Sequence, residues 1–319
     1  MDEATVSAGY AKALFDHAVR RGADAALLLR SASLSRNTLA QPDDRIPMTR
    51  YVTLMRSAKS MLNAPALALE FCQDTHFDDT SIVGLICQSC ANMGEAFEQL
   101  NRYGRLVVEV DVPDTAERFR MVRRKRQLWL EDTRPRPDAF PELTESTFAR
   151  FTCEFARHFA GEKLATAIHV THERPAHADA YARVLGVPTV FGAGWNAIRL
   201  NEKAMARAFD PPNRYVFGVL SERANALLAR LSRQRTIKAQ VEGLLLPLLH
   251  KGDANVAEVT RALGMSRQTL HRKLKAERVT FEVVLDGLRH KMALNYLAAK
   301  QVSVSKTAYL VGFSEPSSF

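Results

Sequence analysis

Cysteine is scarce in this 319-residue chain, with four residues and no spacing that resembles a disulfide framework. Such usage fits a protein kept in a reducing compartment. The first residues, MDEATVSAGY, are acidic and carry no apolar run of signal-peptide length. No segment approaches the roughly 20 apolar residues needed to cross a bilayer. The run LLLPLL at 244–249 is short and reads as the buried face of a helix. The expectation is a soluble, cytoplasmic protein with no membrane partner. No low-complexity tract interrupts it.

Catalytic and metal-binding constellations are also wanting. Cys87-Gln88-Ser89-Cys90 is a CxxC, but no second ligand pair lies at zinc-like spacing. Both thiols sit in an apolar helical run, so they read as small buried side chains. Cys72 and Cys153 have no recognisable nucleophile setting. His169 and His172, with His177 nearby, fall on a strand-like run, where a three-residue step sends the two rings to opposite faces. Gly192-Ala193-Gly194 lacks the third glycine of a dinucleotide loop. Arg123-Arg124-Lys125-Arg126 reads as a solvated hairpin tip, with anion or DNA binding as the alternative. There is no P-loop, Ser-His-Asp set or paired carboxylate. No catalytic residue, metal or cofactor is assigned, and an enzyme is not expected.

A hydrophobic content of 46% with 25% charged residues is ordinary for a globular protein, and the length suffices for two cores. The net charge of +9 is unevenly spread. Residues 233–319 hold 14 Lys+Arg against 7 Asp+Glu, whereas the preceding 232 hold 30 against 28. A basic excess confined to the last third favours an anionic polymer over a membrane surface as partner.

That last third carries one pattern twice. Residues 256–274 read VAEVTRALGMSRQTLHRKL, and residues 304–319 read VSKTAYLVGFSEPSSF. In the first copy Val256, Val259, Ala262 and Leu263 recur at helical spacing and predict a buried face. Gly264 then ends the helix and Ser266 offers a cap for the next one. Leu270 and Leu274 turn that second helix inward, leaving Arg267, Gln268, His271, Arg272 and Lys275 on the other side. These are donor-rich side chains suited to base edges and phosphates. In the second copy Val304, Thr307, Ala308 and Val311 repeat the buried face, and Gly312-Phe313-Ser314 repeats Gly264-Met265-Ser266. Residues 280–299 between them predict one long helix with Phe281, Val284, Leu285, Leu288, Met292 and Leu297 near one face. Two helix-turn-helix units in one chain predict a polypeptide that reads two neighbouring stretches of major groove.

The region 234–319 resembles the DNA-binding domain of the AraC/XylS family of bacterial transcription regulators. The resemblance is carried by SRQTLHRKLKAE, LRHKMALNYL and GFSEPSSF. It implies an all-α domain with two helix-turn-helix units, double-stranded DNA and RNA polymerase as partners, and base contacts from Gln268, His271 and Arg272. Ser266, Arg267 and Lys275 complete the expected first DNA-contacting set, and Pro316, Ser317 and Ser318 open the second reading helix. In the family that helix continues for another turn or two. The carboxy-terminal end is therefore expected to be truncated, with frayed last residues and weak DNA binding. Upstream, LALEFCQDTHFDDTSIVGLICQSCANMGEAFEQLNRYGRLV, RPAHADAYARVLGVPTVFGAGWNAIRL and RYVFGVLSERANALL look like the amino-terminal effector domain of the subfamily that includes ornithine-responsive regulators.

Periodicity in the first 200 residues predicts an α+β domain. Helices are expected over 4–35, 48–62, 81–104 and 143–160, and over HADAYARVLG up to Gly186. Strands are expected at LVVEVDV, ERFRMV, QLWLED, ATAIHVTHE and TVFGAGWNAIRLN, the last bent at Gly192 and Gly194. The expected division is an effector-binding or dimerising domain at 1–214, a connector helix at 215–233 and the DNA-binding domain at 234–319. In the connector, Leu220, Ala224, Leu227 and Leu231 have the spacing of a short coiled-coil seam, the alternative being a helix packed on its own domain. A small-molecule effector is expected between the helices before Leu106 and the strands after it, with Phe77, Tyr103 and Trp129 as lining candidates, and a homodimer is the expected assembly. The alternative is a regulator whose first domain only dimerises or binds a protein.

Overall fold

The computed structural model describes residues 4–112, 117–209, 214–233, 237–249, 254–298, 303–313 and 315. They form two compact units, one running to Leu228 and the other from Ala229 onward.

The first unit opens with β1 (Thr5–Ser7), which pairs antiparallel with β2 (Arg45–Pro47) so that Val6 faces Ile46. Between them lie α1 (Ala8–Arg20) and α2 (Ala25–Ser31). The Ser7 hydroxyl accepts the Tyr10 N–H at 3.2 Å and so caps the first turn of α1. The chain continues through α3 (Met48–Met61), α4 (Leu67–Glu70), α5 (Phe77–Thr80), α6 (Ile82–Gln88) and α7 (Met93–Tyr103). The expected helix over 81–104 is therefore two. Asn92 turns to an extended conformation (φ −161°) and caps α7 through the Glu95 N–H at 3.0 Å, which breaks the run.

A five-stranded sheet follows, ordered β3-β4-β7-β5-β6, from β3 (Phe119–Arg124), β4 (Gln127–Asp132), β5 (Ala165–His169), β6 (Thr189–Val190) and β7 (Asn196–Leu200). Only β5 and β6 are parallel; they are joined through α9 (Ala178–Leu185), which follows α8 (Pro141–His158) in the chain and ends on Gly186 at φ 66°. The segment TVFGAGWNAIRLN is not one bent strand. Gly192, left-handed at φ 62°, lets the chain turn so that β6 and β7 flank opposite sides of β5. LVVEVDV also forms no strand: its Leu106 closes a 3₁₀ turn begun at Gly104, and pairing with β1 is confined to Val107–Glu109, where Val108 bridges to Val6. The short α10 (Glu202–Met205) leads to α11 (Arg214–Arg233).

α8 is the axis of this unit. Pro141 occupies its first turn, where a missing N–H costs nothing, and residues from Glu142 to Arg150 are buried without a break. On α11, Ala224, Leu227 and Leu231 are buried, so the expected seam is not a free coiled-coil face. Asn225 accepts from the Tyr103 hydroxyl at 3.1 Å, and Arg223 pairs with Asp43 at 3.0 Å, fastening the helix to its own unit.

The second unit is helical: α12 (Ile237–Leu249), α13 (Val256–Leu263), α14 (Arg267–Ala276), α15 (Phe281–Ala298) and α16 (Val304–Leu310). Its core joins Ile237, Val241, Leu245 and Leu249 of α12 to Val259, Leu270, Leu274, Phe281, Val284 and Leu288. LLLPLL thus supplies a buried face as expected. Two of the residues assigned to inner faces are exposed. These are Ala262 and Val304, the latter 60% exposed; Thr307 is covered as expected, and Thr260 is covered where Ala262 was expected to be. Helices of seven and eight residues present only about two turns, so neighbours cover the middle of the face and leave its flanks open.

Candidate functional site

The caps and closing turns of the repeated first helix correspond. Asn255 caps α13 through the Glu258 N–H at 3.1 Å, and Ser303 caps α16 through the Lys306 N–H at 3.3 Å. Met265 N–H donates to the Thr260 carbonyl at 3.1 Å, and Phe313 N–H to the Ala308 carbonyl at 3.0 Å. Gly264 and Gly312 are left-handed at φ 61° and 84°. Each closes its helix and redirects the chain at the same place in the unit.

In the first unit the turn delivers Ser266, whose hydroxyl accepts the Thr269 N–H at 3.1 Å. α14 then buries Leu270 and Leu274 and leaves Arg267, Gln268, His271, Arg272 and Lys275 exposed. The sequence missed one part of this construction. Glu277, just past α14, accepts from the N–H groups of Ile237 and Lys238 at 2.6 and 2.9 Å. Its carboxylate thus caps α12 and ties the end of α14 to it. In the second unit, Arg289 lies over the Phe313 ring at 4.7 Å and donates to the Gly312 carbonyl at 3.3 Å. Pro316, Ser317 and Ser318, with the expectation of a cut and frayed reading helix, lie outside the described residues.

The first unit holds a cavity of about 80 Å³ lined by Phe77, Ala96, Phe97, Leu100, Phe151 and Phe155, with Arg150 and Glu154 as its charged groups. A second space of about 50 Å³ shares Phe77, Leu100, Arg150 and Phe151 and adds Tyr10, Arg118 and Thr147. One stripe of α8 lines both: Leu143, Thr147, Arg150, Phe151, Glu154, Phe155 and His158, at three- and four-residue steps. The cavity therefore lies chiefly among helices; the nearby strand contributes Phe119.

Of the three expected lining aromatics, Phe77 reaches this cavity. Tyr103 is fully buried with its hydroxyl on Asn225. Trp129 packs against Trp195 (5.0 Å) and His169 (4.7 Å), and Trp195 also carries Arg124 over its ring at 3.9 Å. The basic run is a hairpin tip: Lys125 and Arg126 make the turn, and Arg123 pairs with Glu202 at 2.9 Å.

The histidines and cysteines form no metal set among the described residues. His172 and His177 belong to a buried network instead. The Tyr181 hydroxyl donates to Glu145 at 2.7 Å and lies 2.8 Å from His172 Nε2, while His177 Nε2 lies 2.8 Å from Glu145. All four cysteines are free. Burial pushes the Cys72 and Cys90 thiols up to about 12 and raises Cys87 and Cys153. Thiols held protonated in this way make poor nucleophiles.

A capped helix-turn-helix whose first helix and turn recur in the same helical unit, in a chain that also holds an α+β unit with an apolar cavity, defines a class of protein, the DNA-binding transcription regulator. Residues 22–209 match the arabinose-binding amino-terminal domain of AraC transcription regulators, and residues 259–319 match a helix-turn-helix domain. The chain belongs to the AraC family, whose members are regulators and not enzymes. It is 27% identical to an ornithine utilization regulator of Pseudomonas aeruginosa over 98% of this chain and 91% of that one. It is 23% identical to the HTH-type transcriptional regulator VirS of Mycobacterium tuberculosis over 93% and 86% of the two chains. The crystal structure of the transcriptional regulator CdpR from Pseudomonas aeruginosa covers 91% of each chain at 21% identity, with a TM-score of 0.42. No described helix is long and apolar enough to cross a membrane.

Proposed function

We propose that this regulator reads DNA through Arg267, Gln268, His271, Arg272 and Lys275 of α14, with Ser266 shaping the entry to that helix, and that a small effector bound in the first unit controls it. The observation that carries the effector reading is the cavity along α8, built from apolar walls with a few convergent polar groups, the usual make-up of a small-molecule site. The division into an effector domain at 1–214, a connector at 215–233 and a DNA-binding domain at 234–319 goes with this reading. So do a cytoplasmic location, double-stranded DNA and RNA polymerase as partners, and action as a homodimer. Exposed Tyr215 (81%), Val216 and Val219 near the start of α11 support pairing of two copies. They equally favour the second reading, in which the first unit only dimerises or binds a protein.

A thermal-shift screen of amino acids, fatty acids and small aromatic acids on the full chain separates the two readings. Ligand at 100 times its dissociation constant stabilises a fold by about 2.7 kcal/mol. The effector reading expects one class to raise the melting temperature and to change affinity for operator DNA. A flat screen, together with a concentration-dependent dimer in sedimentation equilibrium, gives the dimerisation-only reading.

A further inference from the structure

Two guanidinium groups, the buried Arg150 and the largely buried Arg118, border the smaller space that adjoins the α8 cavity through shared lining residues. Arg150 is 4% exposed; it donates to the Thr75 hydroxyl at 2.8 Å and pairs with Glu154 at 3.0 Å. Arg118 donates to the Thr147 hydroxyl at 3.2 Å and stands 3.7 Å from Asp132. Neither Nε has a hydrogen-bond partner among the described residues. Both arginines and Tyr10 border the same small space.

Their counterions are shared. Glu154 also takes Arg157 at 2.9 Å, and Asp132 also takes Arg134 at 2.9 Å. Among the described residues, four guanidinium groups thus share two carboxylates, Arg157 being the one partly open to solvent. Unbalanced buried positive charge is costly, and an anion entering this space would offset it. Beyond Arg150 the walls turn apolar, with Phe97, Leu100, Phe151 and Phe155. From Thr147 to Phe155 the helix rises about 12 Å at 1.5 Å per residue.

Resting on the effector reading above, we propose that the effector is a monocarboxylate with an apolar body, its carboxylate held by Arg118, Arg150 and Thr147 and its body lying along α8 toward Phe155. Arginine suits this task because its planar fork matches a carboxylate. A cationic head would meet net positive charge, and a neutral alcohol would bring one acceptor oxygen and no charge to offset the cations.

The test uses full-length protein and four ligands, octanoate, octanol, octylamine and ornithine, read by thermal shift and by isothermal titration. Octanoate is expected to raise the melting temperature and to bind at least ten-fold tighter than octanol, with no shift from octylamine. Arg118→Gln should weaken octanoate ten-fold or more, and Arg118→Lys should restore part of the loss. Ala96→Phe, which fills the apolar end and leaves both arginines in place, should abolish binding and keeps the test decisive if Arg118→Gln folds poorly. Equal binding of octanol and octanoate, or a preference for octylamine or ornithine, overturns the carboxylate assignment while leaving an effector site. No shift with any of the four, nor in the broader screen, removes the effector reading as well.

Discussion

At the scale of single residues, Arg272 and Gln268 share the outward side of a helix held in place by Leu270 and Leu274. A bidentate arginine–guanine contact is worth about 1–3 kcal/mol of discrimination. Arg272→Ala is accordingly expected to weaken operator binding by that amount and random DNA far less, measured by fluorescence anisotropy on both duplexes. An equal loss on the two would reduce Arg272 to a phosphate contact. These outward positions were legible in the sequence because the helical period and two leucines fix which side is inner. The cavity residues were not. An aromatic side chain marks burial without saying whether it borders space, and Tyr103 and Trp129 turned out to be packed against Asn225 and Trp195. The more telling signal was polar. Thr147, Arg150 and Glu154 sit within the apolar stripe of α8, and a buried polar group needs a partner or a ligand.

At the scale of the element, the two units look alike in sequence but are braced differently. Gly264 has nothing within 4 Å of where a Cβ would stand, so Gly264→Ala meets only the left-handed backbone, a cost of about 1–2 kcal/mol. At Gly312 a Cβ would stand 3.0 Å from the Leu249 carbonyl oxygen as well. Gly312→Ala is expected to cost about 1 kcal/mol more than Gly264→Ala, since crowding adds to strain. Urea midpoints of the two variants, at unchanged m-value, measure the difference; equal midpoints would mean that α12 yields at Leu249. The repeated glycine was plain in the sequence. Its contact with α12 depends on a fold that brings distant residues together, as does the Glu277 cap of the same helix. Misplaced strands have a similar origin: LVVEVDV is apolar and β-branched, yet the three-residue β1 gives it a partner only over Val107–Glu109. Strand propensity reports fit to a pleated surface and says nothing of whether a neighbour is present.

At the scale of the whole molecule, the first unit buries histidine where a charge is poorly tolerated. His17 is 1% exposed; its Nε2 has no hydrogen-bond partner among the described residues, and its Nδ1 lies 3.5 Å from the Asp74 carboxylate. Burial wins over that carboxylate and holds the imidazole below its ordinary 6.5. His169, against Trp129 and Trp195, is lowered too, by burial and then by Arg199. When the folded value lies below the unfolded one, the unfolded chain takes up the proton first as pH falls. Stability from both histidines is therefore complete above about pH 6.5 and is lost as pH drops below it toward the folded values. The carboxylates whose values are lowered, Glu70, Glu202 and Glu282, begin to matter only below their ordinary 4.5, so the interval from 6.5 to 5 isolates the histidines. Urea unfolding followed between pH 7.5 and 5 should show a falling midpoint, and His17→Gln with His169→Gln should flatten that slope whatever it does to the midpoint at pH 7.5. A slope unchanged in the double variant would place the proton uptake elsewhere, and a midpoint that rises on acidification would reverse the sign of the argument.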